Sequence, residues 1–307
     1  MKNLVGTGFI LLVLSGCVSS GIYYIEGKEN PRHHRTNPSV ESELLIFSLN
    51  LNHDFPEYRY KSERMKKVVE FIDGLKPDLV FLQEVSIVRG ENLGEVIAEA
   101  IGYTMVYAGA NGSSALIGFE EGEAILTPHR IIDYERIPLH PDPGVFEDRV
   151  VLRALIDTPS GLVQAYCTHF SHGRERSDLR EGQAEHLLQI IASSSAEAHT
   201  VLAGDFNAAP ESAVYRLIIR SGLTDAFESV KGKDSSPTAG ISSVIGIDES
   251  QHRRIDYIFT RASRGKDAVI KEGYTSFSSP VIGETGSFWI SDHVGLVANI
   301  QFTNAQK

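Results

Sequence analysis

Short apolar runs that end on a polar side chain recur along this chain, and they limit its fold more than any other feature. Leu44-Leu45-Ile46-Phe47 leads to Ser48-Leu49-Asn50, and Leu79-Val80-Phe81-Leu82 leads to Gln83-Glu84. Val201-Leu202-Ala203 leads to Gly204-Asp205-Phe206-Asn207, and the run over 162–169 ends on His169. Ile255-Asp256-Tyr257-Ile258-Phe259 carries Asp256, and Ser291-Asp292-His293 precedes the last apolar run. Runs of this length and content read as buried strands. A packed core has little use for carboxylates, amides and imidazoles at strand ends unless the ends meet. Carboxylates that meet out of water need a cation or must give up their charge.

The stretch around Asp205 shows the chemistry at stake. Gly204 ends the apolar run and lets the backbone approach something closely. In extended chain, positions two apart point the same way, so Asp205 and Asn207 would face one pocket. A carboxylate can hold a metal or a water, and a carboxamide can donate to an oxyanion. Taken alone, the same residues also read as an Asx turn after a strand.

Between these runs the pattern changes period. Met65, Val68, Val69, Ile72 and Leu75 predict a helix over 62–75 with Ser62 as N-cap. Leu93, Val96, Ile97, Ala100 and Ile101 predict a second. Short strands are expected over 103–108, 115–119, 123–127, 150–156 and 162–169. Residues 171–181 are densely charged, and Arg174, Arg176 and Arg180 either reach a substrate phosphate or form a solvated helix face. Ser177 or Asp178 would cap a helix through Leu187, Leu188 and Ile191. Another helix is expected over 212–220, closed by Gly222. Residues 230–252 are Ser/Gly-rich and read as a loop beside the site. A strand over 254–259, a neighbour for it over 269–275 and a last strand over 295–302 complete the body. There is no internal repeat and no domain break after residue 43.

The 307 residues are 42% hydrophobic and 22% charged, which is the composition of a folded globular body. The formal net charge of −11 gives no global attraction for nucleic acid, although a local basic cleft stays open. Two cysteines, Cys17 and Cys167, are too few for a disulfide framework. Residues 1–16 read as an export signal: Lys2 is the positive start, and the apolar run over 4–14 is too short to span a bilayer. Leu14-Ser15-Gly16-Cys17 looks like a bacterial lipobox, which would leave Cys17 as the lipidated first residue; an ordinary signal with an incidental cysteine is the alternative. Cleavage removes Lys2 and takes the charge from −11 to −12. Residues 17–42 then form a polar, punctuated tether spanning on the order of 25 Å as coil. His33 and His34 sit in it beside Arg32 and Arg35, a solvated basic cluster that could touch anionic headgroups. Cys167 is left as a small core residue. The folded body is expected over 43–303.

Taken in order, the motifs resemble the endonuclease/exonuclease/phosphatase superfamily, whose fold is shared by DNase I-like nucleases, neutral sphingomyelinases and inositol polyphosphate 5-phosphatases. The matches are Ser48-Leu49-Asn50-Leu51, Leu82-Gln83-Glu84-Val85, Glu123-Ala124-Ile125-Leu126-Thr127, Arg153-Ala154 and Thr168-His169-Phe170. Arg180 with Gln183, Gly204-Asp205-Phe206-Asn207, Arg254-Ile255-Asp256-Tyr257-Ile258 and Ser291-Asp292-His293 continue the series. Each motif is weak alone; their common order over nearly the whole body is specific. One position departs: many relatives read Gly-Asn-Ala-Ile-Leu-Ser where this chain has Glu123 in place of the Asn.

The resemblance implies a four-layer α/β sandwich, two mixed sheets face to face with helices outside. It implies Glu84 as main metal ligand with Asn50 beside it, and Asp292 reaching that metal or a second one. Asp205 would hold or deprotonate the attacking water, and Asn207 would bind a phosphate oxygen. Asp256 would orient His293, as base or phosphate contact, and His169 would sit on the scissile phosphate. Arg153 would support the site from its strand. Oxygen ligands favour Mg2+ or Mn2+. The expected activity is phosphoester hydrolysis by a monomeric, lipid-anchored enzyme of the bacterial cell envelope. A phosphodiesterase on phospholipid headgroups or other small phosphodiesters fits the anchor and the acidic charge. A nuclease fits the site but not the charge. A phosphomonoesterase on inositol or sugar phosphates fits the arginines at 174–180. A non-catalytic binding module is the alternative from another class.

Overall fold

The computed structural model describes residues 21–27, 42–144, 147–232, 236–240, 252–284 and 286–305. The expected signal, Cys17, His33, His34 and most of the 230–252 loop lie outside the described residues. In chain order the strands are β1 (Ile22–Ile25), β2 (Glu43–Asn50), β3 (Leu79–Val88), β4 (Glu91–Asn92), β5 (Thr104–Ser113), β6 (Phe119–Thr127), β7 (Arg130–Pro138) and β8 (Val150–Thr158). They continue with β9 (Gly161–His169), β10 (His199–Asp205), β11 (Thr224–Asp225), β12 (Asp256–Arg261), β13 (Lys266–Ser276), β14 (Val281–Gly283), β15 (Gly286–Phe288) and β16 (Gly295–Asn304). The helices are α1 (Lys61–Leu75), α2 (Leu93–Ile101), α3 (Ser114–Ile117), α4 (Ser177–Ala192), α5 (Ala213–Arg220) and α6 (Ala226–Lys231).

One sheet runs β1-β5-β6-β3-β2-β16-β13 with β4 on β3, and the other runs β11-β12-β10-β9-β8-β7. Both are mixed, since β2 and β3 are parallel, as are β9 and β10, among antiparallel neighbours. Alternation decides which side chain faces which layer. Leu44, Ile46, Leu79, Phe81, Cys167, Val201, Ala203 and Ile258 meet between the two sheets. Their chain neighbours Phe47, Val80 and Leu82 pack outward against α1 and α2. Tyr166, Leu202, Tyr257 and Phe259 pack outward against α4 and α5. The result is the expected four-layer sandwich, with Cys167 in its central core.

Five local expectations change, the first being that neither Ser177 nor Asp178 caps α4, which Arg176 precedes with no side-chain capping bond. Residues 22–25, inside the expected tether, form β1 on the edge of the first sheet, and Tyr23 stacks on Tyr107 with centroids 5.7 Å apart. Residues 114–117 are a helical turn rather than a strand, because β5 and β6 form a hairpin and this is its connection. Ser62 does not cap α1: Tyr60, left-handed at φ 53° and stacked on Phe288, turns the chain into the helix first. The strand beginning at Lys266 is not a neighbour of β12; the two enter different sheets, and β13 pairs with β16. The helix expected over 212–220 forms as α5, with Ser212 just outside it as the cap, its hydroxyl accepting the Tyr215 N–H at 3.2 Å.

Candidate active site

At one end of the sandwich the inter-sheet alternation continues past the apolar core. Two residues beyond Phe81, Cys167 and Ala203 come Gln83, His169 and Asp205, and two before Ile258 comes Asp256. Asn50 ends the series of Leu44 and Ile46. Register places Asp205 between His169 and Asp256 in the second sheet, and Asn50 beside Gln83 in the first. The Asn50 amide spans the gap, its Nδ2 2.9 Å from Glu84 and 3.3 Å from Asp205. Gly204 makes the close approach possible: a Cβ there would lie 1.9 Å from the Thr168 carbonyl oxygen on β9.

Asp256 and His293 form a buried pair. Both carboxylate oxygens lie close to Nδ1 of the ring, at 3.0 and 2.9 Å. The Thr238 hydroxyl accepts the backbone N–H groups of Ile255 and Asp256, so its own proton goes to Asp256 Oδ2 at 2.6 Å. Burial works against charge on His293, but Asp256, Asp292 and Asp205 hold its pKa well above the usual imidazole range. The neighbouring carboxylates therefore favour the imidazolium form of this ring. Arg254, two residues before Asp256, is bound instead by Asp225 through two contacts of 2.7 and 2.5 Å. His293 Nε2 lies 3.8 Å from Asp205. Burial and then the Asp256 charge push the Asp205 carboxyl up to about 7.

His169 Nε2 lies 3.2 Å from Asn207 Nδ2 and 3.3 Å from Asp205. Burial and then the Arg149 charge push its pKa well down, so the ring is neutral. Asn207 reaches the site by a turn rather than by strand alternation, since β10 ends at Asp205. It is left-handed at φ 48°, and its N–H donates to Asp205 Oδ1 at 2.8 Å. The Asx turn and the site role coexist.

Glu84 lies off the alternating face and enters the cleft through a bulge. The pairing of β3 with β6 shifts between Leu82 and Val85, and Glu84 is left-handed at φ 53°. Burial pushes its carboxyl up, but charge on His169 or His53 and hydrogen bonds from the His53 N–H and the Asn50 amide hold it below the usual carboxylate range. Because His169 is neutral, the two N–H donors are the lasting support. Ligand atoms of His53, Glu84 and Glu121 all lie within 4.8 Å of one another. Burial and then Glu84 raise the Glu121 carboxyl. Two neighbouring carboxylates beside an imidazole fit a divalent cation, and the nitrogen suits Mn2+ better than Mg2+. Asp205, Asp256 and His293 cluster as closely, but the imidazolium already supplies their positive charge.

Three expected residues sit differently. The Asn50 Oδ1 accepts the Asn52 N–H at 2.9 Å, and its amide nitrogen is the atom that faces the carboxylates. Asp292 lines an adjoining cavity with Arg59, Arg64 and Trp289; His293 faces the cleft, so its chain neighbour faces away. Arg153 is not at the site: it lies on the face of β8 opposite the inter-sheet residues Leu152 and Ala154, and it pairs with Asp133 and Glu135 on β7.

The cleft holds about 450 Å3 and is lined by His53, Glu84, Glu121, His169, Asp205, Asn207 and His293, with Asn111, Phe119, Glu147, Arg149 and His172 around them. His53, Glu121, Glu147 and Arg149 were not legible as site residues. Arg149 pairs with Glu147 at 3.0 Å, and Arg176 also binds Glu147. Arg180 holds the loop after His169 through the Ser171 and Gly173 carbonyls, so it is no free phosphate ligand. Arg64, buried on α1, binds the carbonyls of Leu51, Asn52 and Ile290 and so fixes the segment that carries His53. Glu123 lies beneath the cleft 3.8 Å from Cys167. Burial and then Glu121 raise its pKa well above the carboxylate range. A neutral carboxylic acid has one donor and an acceptor, so it can stand where relatives carry an amide.

A four-layer sandwich with acid, amide and imidazole groups converging at one end of its sheets defines a hydrolase of phosphoesters. The chain belongs to the endonuclease/exonuclease/phosphatase family, whose sequence profile matches residues 47–293. Its fold is similar to that of an endonuclease/exonuclease/phosphatase from Beutenbergia cavernae, at 22% identity and TM-score 0.66, over 85% of this chain and 72% of that one. It is similar to the Bacteroides vulgatus member at 20% identity and TM-score 0.65, over 84% and 98% of the two chains. It is also similar to D. rerio TDP2 complexed with a single-strand DNA product, at 18% identity and TM-score 0.67, over 84% and 99%. No curated protein matches the chain.

Proposed function

We propose that this chain is a divalent-metal-dependent phosphodiesterase acting on phospholipid headgroups or other small phosphodiesters at the cell envelope. The observation that carries this reading is the meeting of His169, Asp205, Asn207 and His293 in one cleft beside Glu84. Glu84, with His53 and Glu121, would hold the cation, which supplies Lewis-acid polarisation of the phosphoryl group. His293, charged and oriented by Asp256, contacts a non-bridging phosphate oxygen, and the Asn207 amide donates to another. His169, being neutral, contributes a hydrogen bond rather than a proton. Asp205, with a pKa of about 7, takes a proton from the attacking water as the new P–O bond forms. The ester P–O bond breaks, and the leaving oxygen takes its proton from solvent.

The cleft volume of about 450 Å3 lies in the ordinary range for small ligands. Among the described residues its wall carries Glu84, Glu121, Glu147 and Asp205 against Arg149 as the one side chain of lysine or arginine type. That balance disfavours a long polyanionic strand. The test is a panel of a small phosphodiester, a glycerophospholipid, single-stranded DNA and a phosphomonoester, each assayed with Mg2+, Mn2+ and EDTA. The reading predicts metal-dependent cleavage of the two small diesters. Preferential turnover of DNA or of the monoester would replace it.

A further inference from the structure

The edge of the first sheet nearest the cleft carries an apolar surface that no described part of the chain covers. The β5–β6 hairpin connection is α3, held by the Ser113 hydroxyl, which accepts the Leu116 N–H at 3.3 Å, and closed by Gly118 in the left-handed region. This tight turn presents Leu116 and Ile117, 71% and 63% exposed. Beside it Phe55, 44% exposed, packs at 4.5 Å against Phe119, which lines the cleft. Scattered exposed aliphatics are ordinary; adjacent ones at the rim of a cleft mark a contact surface.

The N-terminal strand joins this surface to Cys17. Ile22 pairs with Ala108, and the Gly109 N–H donates to the Gly21 carbonyl at 3.0 Å. β1 therefore enters the sheet from the end at which β5 leads into α3. Ile22 and Tyr23 line one cavity together with Ser114, the first residue of α3. Cys17 lies four residues before Gly21, a covalent reach of at most about 14 Å. A lipid on Cys17 would hold this face within reach of a bilayer. Arg89, exposed in the turn after β3 where Val88 pairs with Phe119, supplies a cation at the same rim. No helix among the described residues is long and apolar enough to cross a membrane.

We propose that Leu116, Ile117, Phe55 and the start of β1 seat on the bilayer that receives the Cys17 lipid, and that the cleft thereby faces the headgroup layer. This rests on reading the cleft as a phospholipid headgroup diesterase. Seating gives the anchor a fixed orientation, so that substrate is taken from the membrane plane rather than from solution.

The test uses the mature lipoprotein reconstituted in phosphatidylcholine/phosphatidylglycerol vesicles, with bimane on a cysteine introduced by Leu116→Cys or, as control, Leu162→Cys. Leu162 lies at the start of β9, the opposite end of the strand from His169, and Cys167 is buried. The label at 116 should be quenched by nitroxide-bearing lipid and protected from iodide, and the label at 162 should show the reverse. Equal iodide access at both, or lipid quenching at 162, would overturn the proposal, as would a Cys17 that carries no lipid. The pair Leu116→Glu and Ile117→Glu should lower turnover of vesicle phospholipid by about tenfold or more while leaving a soluble phosphodiester unaffected. Unchanged vesicle turnover would also overturn it. If the wild type cleaves neither substrate, the reading of the cleft fails, whereas the quenching result still decides the seating.

Discussion

Replacing Asp256 by Asn tests the paired acid and imidazole with little change in shape. The Thr238 hydroxyl must still donate its proton to the position of Asp256 Oδ2, 2.6 Å away, because its own oxygen is taken by two backbone N–H groups. The Asn carbonyl therefore takes that position. Its amino group then stands where Oδ1 was, 3.0 Å from His293 Nδ1. A charge-assisted bond is replaced by a neutral one beside a mismatched donor. The charged bond contributes about 1.5–3 kcal/mol. If the phosphate contact needs the imidazolium, kcat falls by roughly 10- to 150-fold. The Asp256 charge holds His293 protonated to a pH well above the usual imidazole range. Without it the ring loses its proton at lower pH, so the alkaline limb of the kcat profile moves to lower pH. His293→Ala should remove most turnover, and the double variant should be hardly worse than His293→Ala alone. The assay is kcat against pH for the three variants, with melting temperatures alongside. A lower melting temperature with unchanged kcat per folded molecule, or multiplicative losses in the double variant, would refute the coupling.

Three further outcomes are expected. Glu121→Gln and His53→Ala should each weaken Mn2+ binding by roughly tenfold or more in calorimetric titration, since even outer partners of a metal site matter that much; unchanged affinity in both would remove them from the cation site. Arg254→Met leaves the Asp225 carboxylate buried without its cation and should cost about 3–5 kcal/mol in urea denaturation, with a loss under about 1 kcal/mol counting against a buried pair. Mass spectrometry of the membrane fraction should find an acylated N-terminus at Cys17, and a soluble product starting elsewhere would exclude lipidation.

The alternation of the strands made much of this site readable. His169, Asp205 and Asp256 each extend an apolar series by two residues, and Asn50 follows Leu44, Ile46 and Ser48 on one parity, so a reader of the sequence can place them at one end of one layer. Glu84 breaks that parity and reaches the cleft only through its bulge, which is a property of the pairing between β3 and β6. His53 and Arg149 lie outside strands, and Glu121 belongs to the cleft only because β6 pairs beside β3. Arg153 was misplaced for the opposite reason: its parity with Val151 faces it away from the inter-sheet core, and the motif match hid this. β1 carries no turn or period strong enough to separate it from a tether, since four residues become a strand only by pairing with β5.

The central claim is that a divalent cation held at Glu84 makes this cleft a phosphodiesterase. Glu84→Gln keeps the side chain's size and removes its charge. Mn2+ titration and hydrolysis of bis(p-nitrophenyl) phosphate, run on the wild type and this variant, test the claim together. The account predicts that the wild type binds the ion and is silenced by EDTA, and that the variant loses both affinity and turnover while remaining folded. Wild-type turnover that survives EDTA, or a Glu84→Gln protein that turns over normally at ordinary Mg2+ concentration, would contradict it.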